Sequence, residues 1–262
     1  MRFSFSTKGW HGRTFEDFCN IAAEMNFSGI ELHNIKNSLF ADKDGAFYNY
    51  AAASTVRRLY EKKLSIPCID AICNPSDAAE KDACVAEIRK CMEIASNLHI
   101  PNIRLRANVA EDEDSAVANT AAVIASLLPE IEKNGVTLLM ETAGLFAKTE
   151  KLRALLDSFA SDHFASLWNF SAAYFEGGES PEQIIKNLGA YVRHVHINDA
   201  KRVENEIEYC LLGEGELPIK EMMLALRSVN YDGFLSRVWD PAWCEELDDM
   251  EIIFSQFVGY MS

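Results

Sequence analysis

Val136-Thr-Leu-Leu-Met-Glu141 is an almost wholly apolar run that ends abruptly on a carboxylate. A short apolar run bounded by Gly135 suits a strand covered on both faces, as parallel strands are. The terminal Glu141 then marks the strand's carboxyl end as polar. A second stretch, Tyr191-Val-Arg-His-Val-His-Ile-Asn-Asp-Ala200, has the same design. Read with a period of two, Val192, His194 and His196 share one face, and the run closes on Asn198-Asp199.

Working outward, strands are expected at 3–7, 27–33, 66–72, 103–106, 136–141, 165–170, 191–197 and 233–238. Helices are expected between them: Thr14 caps the first, Gly135 stops the one over 114–134, and Ser180-Pro181 opens another. A long loop containing Gly213-Glu-Gly-Glu-Leu-Pro218 is expected after the seventh strand. Eight strands, each followed by a helix and with no interior linker, predict a single-domain (β/α)8 TIM barrel over residues 1–262. A doubly wound sheet would be expected to carry a glycine-rich phosphate loop after its first strand. Lys8-Gly-Trp-His-Gly12 is not one, so no nucleotide cofactor is expected.

The chain has 262 residues, 48% of them hydrophobic, and a formal net charge of −15. Such an acidic surface repels phosphate backbones, and nucleic acid is not an expected partner. No apolar run is long enough to span a bilayer, and the amino terminus lacks a secretory pattern, so a cytoplasmic protein without membrane contact is expected. Seven cysteines without a Cys-x-x-Cys motif suggest reduced, packed thiols. A homo-oligomer is left open.

In a barrel, polar residues at the carboxyl ends of strands call for a functional reading. They are Trp10 and His11, Glu31 and His33, Asp70, Arg104 or Arg106, Glu141, Asn169, His196 with Asp199, and Asp240. Glu, Asp and His are ligands for a divalent ion such as Mn²⁺ or Mg²⁺. A polyhydroxylated carbohydrate chelated there could lose a proton beside its carbonyl.

These segments resemble the xylose isomerase-like TIM barrels, which include sugar-phosphate isomerases and epimerases and are grouped with endonuclease IV. Gly135–Gly144 resembles that family's strand-five segment, Ser166–Tyr174 its Trp-Asp-x-x-His segment, and His194–Ala200 its His-x-His-x-Lys-Asp strand. Leu212–Pro218 and Tyr231–Ser236 are similar to its later landmarks. The resemblance implies Glu141 as metal ligand and proton-transfer base, Asn169 and His196 at two further ligand positions, and Arg202 beside the substrate. Three departures stand out: Asn169 replaces an aspartate, Ala172 a histidine, and Val238 the second glutamate. Asp240, two residues on, has the same facing as Val238 and is a candidate displaced ligand, as are Asp199 and Glu214. His33, Arg106 and Trp10 complete the expected substrate-binding set. Two functions follow: an isomerase or epimerase working through an enediolate, or a non-catalytic, metal-free barrel binding a carbohydrate or a partner. His194 is expected to be a satisfied core histidine.

Overall fold

The computed structural model describes residues 1–41, 45–244 and 246–262. Its strands are β1 (Arg2–Ser6), β2 (Gly29–His33), β3 (Cys68–Asp70), β4 (Asn102–Leu105), β5 (Thr137–Glu141), β6 (Phe164–Asn169), β7 (Val192–Ile197), β8 (Asp199–Val203), β9 (Glu206–Cys210) and β10 (Phe234–Arg237). Eight of them close into a barrel in the order β1-β10-β7-β6-β5-β4-β3-β2, every neighbouring pair parallel. The expected barrel is therefore present. Among the described residues no helix is long and apolar enough to cross a membrane, and all seven cysteines are free.

Alternation along each strand divides the core in two. Outward-facing residues such as Phe5, Ile30, Ile103, Met140 and Val195 pack against the helices in the main apolar cluster. Inside the barrel, Leu139, Ala165 and Leu167 form a separate small cluster. Gly29 is required at the barrel's lower end. A Cβ there would come within 2.7 Å of the Phe234 ring and 3.1 Å of the Ser4 Cβ.

Local signals hold where they were read. Thr14 and Asp17 form a reciprocal capping box, Ser180 accepts from the Gln183 amide with Pro181 in the first turn, and Gly135 ends its helix at φ 67°. Two departures matter for the site. First, a short helix, Phe170–Phe175, follows β6 directly, and the Asn169 side chain caps it. Second, the segment expected as a loop after β7 contains the antiparallel hairpin β8–β9, turned at Glu204 with φ 55°. The Asp199 carboxylate anchors the return from that hairpin. It accepts amide hydrogen bonds from Gly213, Gly215 and Leu217 at 2.8, 3.1 and 3.2 Å.

Candidate functional site

A cavity of about 300 Å³ opens at the carboxyl end of the barrel. Its floor is an alternating chain of charges that crosses from β2 to β7. Glu31, fully buried, accepts from His194 Nε2 at 2.6 Å through one oxygen and from His196 Nε2 at 2.8 Å through the other. His196 Nδ1 lies 3.5 Å from Glu141 Oε1. Asn169 donates its amide to that same oxygen at 2.7 Å. Arg104 donates Nε to Glu141 Oε2 at 3.1 Å, and its Nη2 donates there as well. Its Nη1 sits 3.9 Å from Asp70 Oδ2, which lies 3.0 Å from His33 Nδ1.

Strand alternation explains why these groups meet. Ile103 and Leu105 face the helices, so Arg104 faces inward. It stands beside Asp70 on β3 and Leu139 on β5, one inner-face step below Glu141.

Buried charges survive only with partners, and here each has one. Burial alone would lower the His196 pKa, but Glu31 and then Glu141 outweigh it and raise it to about 10. The two ring nitrogens of His196 each face a carboxylate, Glu31 and Glu141, an arrangement that favours the protonated form. Burial would raise the Glu141 carboxyl, yet Arg104, His196 and Arg106 hold it well below the usual carboxylate range. Burial would likewise raise Glu31, and the two histidines hold it well below its ordinary value. At the rim, burial lowers the Lys8 pKa, and Asp240, 3.7 Å from its Nζ, offsets this in part.

The expected site residues divide. Glu141, His196, Asn169, His33 and Arg106 all line the cavity. Trp10, Arg202 and Asp240 are not among its lining residues. Trp10 stacks on Phe254 at 5.4 Å in the helix-facing core, because the loop after β1 turns outward. Arg202 rides on the hairpin, exposed, with its guanidinium 5.6 Å from the Phe175 ring centroid. Asp240 accepts from the Ala242 amide and faces Lys8. Arg106 lies past the end of β4, half-exposed, 3.7 Å from Glu176.

Three residues carry more than was expected of them. Glu31 and Arg104 stood among the polar strand ends, but a sequence does not say which of them pair across a barrel. His194 was expected only to be satisfied. Its Nε2 is satisfied, by the carboxylate that also holds His196, but its buried Nδ1 has no hydrogen-bond partner among the described residues. Tyr209 and Trp243 line the cavity wall, stacked at 4.4 Å and 22°. Tyr209 reaches it only because β9 folds back over the mouth.

The donor set at the four positions the resemblance assigns to a metal does not fit one. Val238 offers no ligand atom. The Asn169 Oδ1 is engaged by the Ala172 amide and the Ser171 hydroxyl, and both Glu141 oxygens accept from protein donors. Among the described residues, the atoms close enough to share an ion belong to Glu31, His194 and His196, all within 4.8 Å of one another. That group shares His196 with the four positions and adds Glu31 from β2 and His194 from one inner-face step deeper on β7.

A family model described as xylose isomerase-like TIM barrel matches residues 19–245, and the chain belongs to that family. No curated protein sequence matches it. The fold is similar to that of the IolI protein solved with a bound zinc atom (TM-score 0.83, 13% identity, covering 100% of this chain and 97% of that one). It is also similar to the probable 3-DHS dehydratase AsbF of Bacillus anthracis (0.79, 17%, 100% and 98%) and to D-psicose 3-epimerase with D-tagatose from Clostridium cellulolyticum H10 (0.78, 12%, 100% and 98%). At these identities the likeness is one of fold.

Proposed function

We propose that this barrel recognises a small polyhydroxylated carbohydrate at its carboxyl face. The observation that carries the reading is the pairing of a floor rich in fixed hydrogen-bonding groups (Arg104, Glu141, Asn169, His196) with the stacked wall of Tyr209 and Trp243. A sugar offers hydroxyls to the first and an apolar C–H face to the second. Fold neighbours that are themselves named for sugar epimerisation support the same ligand class.

In an isomerase or epimerase reading, Glu141 takes the proton beside the carbonyl and His196 steadies an oxygen. Neither Mn²⁺ nor Mg²⁺ is given a step, because the donors around Glu141 do not fit one. A second reading, a carbohydrate-binding barrel without catalysis, is favoured by a specific observation. Arg104 is paired directly with Glu141 and holds its carboxyl below the usual carboxylate range, which weakens it as a base. The acidity of the whole chain, −15, supports neither reading over the other but argues against a nucleic-acid ligand.

The test is titration calorimetry with a panel of ketohexoses and their phosphates, followed by incubation of each binder in D₂O. Binding with deuterium incorporated beside the carbonyl, lost in Glu141→Gln, supports the isomerase or epimerase. Binding without exchange supports the second reading. No binding across the panel refutes the carbohydrate proposal.

A further inference from the structure

We infer that the guanidinium of Arg104 stands in for the divalent cation in this barrel, so that the pocket is organised by a cation built into the chain. The inference rests on how the floor is wired, independently of which sugar it takes.

Charge arithmetic comes first. A ligand set of Glu, Asp, His and Glu presents three negative charges to an ion. The same positions here are Glu141, Asn169, His196 and Val238, which present one. Arg104 contributes one positive charge directly against Glu141, so carboxylate and guanidinium cancel. The charge that an ion would supply to Glu141 is thereby already present in the chain.

Geometry comes second. Arg104 lies on the strand between Asp70 and Glu141, and its Cα pairs in register with Asp70. Its planar fork spends Nε and Nη2 on Glu141 Oε2, the oxygen that faces away from Asn169 and His196. With Asn169 on Oε1 and Arg104 on Oε2, both carboxylate oxygens are held by donors of the chain. Nη1, 3.9 Å from Asp70, is the donor left for a ligand oxygen. Glu31 and Asp70 flank the chain of charges, so Arg104 and His196 each stand between two carboxylates.

The consequence is a change in what the site can do to a ligand. A guanidinium holds a carbonyl, hydroxyl or carboxylate oxygen by directed N–H bonds and keeps its charge across the physiological pH range. It exchanges no ligands, and no chelator removes it. Chelator treatment should therefore leave ligand binding at this pocket unchanged.

The experiment compares Mn²⁺ and Zn²⁺ bound per chain after chelator stripping and reloading, with the thermal midpoint as a second readout. Wild type and Glu141→Gln should show the same metal content and the same response to each ion. The pair Asn169→Asp and Val238→Glu rebuilds the four-donor set with Arg104 retained. Adding Arg104→Met to that pair should raise Mn²⁺ affinity by at least about 100-fold. An ion that wild type and Glu141→Gln hold equally belongs to the Glu31, His194 and His196 group and supports the assignment. Stoichiometric metal in wild type that Glu141→Gln abolishes would overturn it. So would equal Mn²⁺ affinity of the rebuilt set with and without Arg104. Should the Arg104→Met combination not fold, the comparison of wild type with Glu141→Gln decides the question alone.

Discussion

Replacing Glu31 by glutamine probes the deepest link in the charge chain. The carboxylate is fully buried, and each of its oxygens accepts from one histidine. Glutamine keeps the shape but offers one acceptor oxygen and no charge, leaving the His196 imidazolium balanced by Glu141 alone. Raising an imidazole from its ordinary value of 6.5 to about 10 corresponds to about 5 kcal/mol of preferential proton binding by the folded state. Breaking a buried pair by removing one partner costs about 3–5 kcal/mol, which agrees. For a chain of this size the midpoint should fall by roughly 6–20 °C. The sign of the pH dependence follows from the raised pKa. The stabilisation is fully present below about pH 6.5 and is lost as pH rises through about 10. Wild type should therefore lose stability between those limits more steeply than Glu31→Gln. Denaturant melts from pH 6 to 10, with imidazole NMR on the six histidines, measure both quantities. A loss below about 1 kcal/mol, or a His196 titration unchanged in the variant, would refute the reasoning.

Three further outcomes are expected. Glu141 has a depressed carboxyl pKa, so its contribution is present above the ordinary carboxylate range and lost as pH falls through the folded value; acid melts of Glu141→Gln should be flatter below about pH 4.5 than those of wild type. Gly29→Ala would push a methyl group to 2.7 Å from the Phe234 ring, and chemical denaturation should show a loss of about 1–3 kcal/mol. Asp199→Ala leaves three loop amides without their acceptor, and hydrogen exchange at Gly213, Gly215 and Leu217 should quicken more than exchange in the barrel strands.

The barrel was legible from local chemistry. Apolar runs that stop on polar residues, caps such as Thr14 and Ser180, and the stop at Gly135 are written within a few residues of where they act. Inner-face membership was legible in part: alternation puts Glu31, Glu141 and His196 toward the axis, while Arg104 and Arg106, two residues apart, stood as alternatives. Trp10 and Asp240 were harder, because each lies just past a strand end, where the chain leaves the period of two. Arg202 sits on a hairpin that a polar, glycine-bearing segment disguised as a loop.

What the sequence by itself determined is the set of charges that would face the barrel's interior and the absence of two carboxylates from it. Local periodicity suffices for the first, and the family resemblance for the second. Only the tertiary structure decided how those charges are shared: that Arg104 takes Glu141, that Glu31 holds both His194 and His196, and that Asn169 is spent on a helix cap. Pairing across a barrel depends on the stagger of strands that lie far apart in the chain. A step of one inner-face residue, about 6–7 Å, separates a metal ligand from an ion-paired carboxylate.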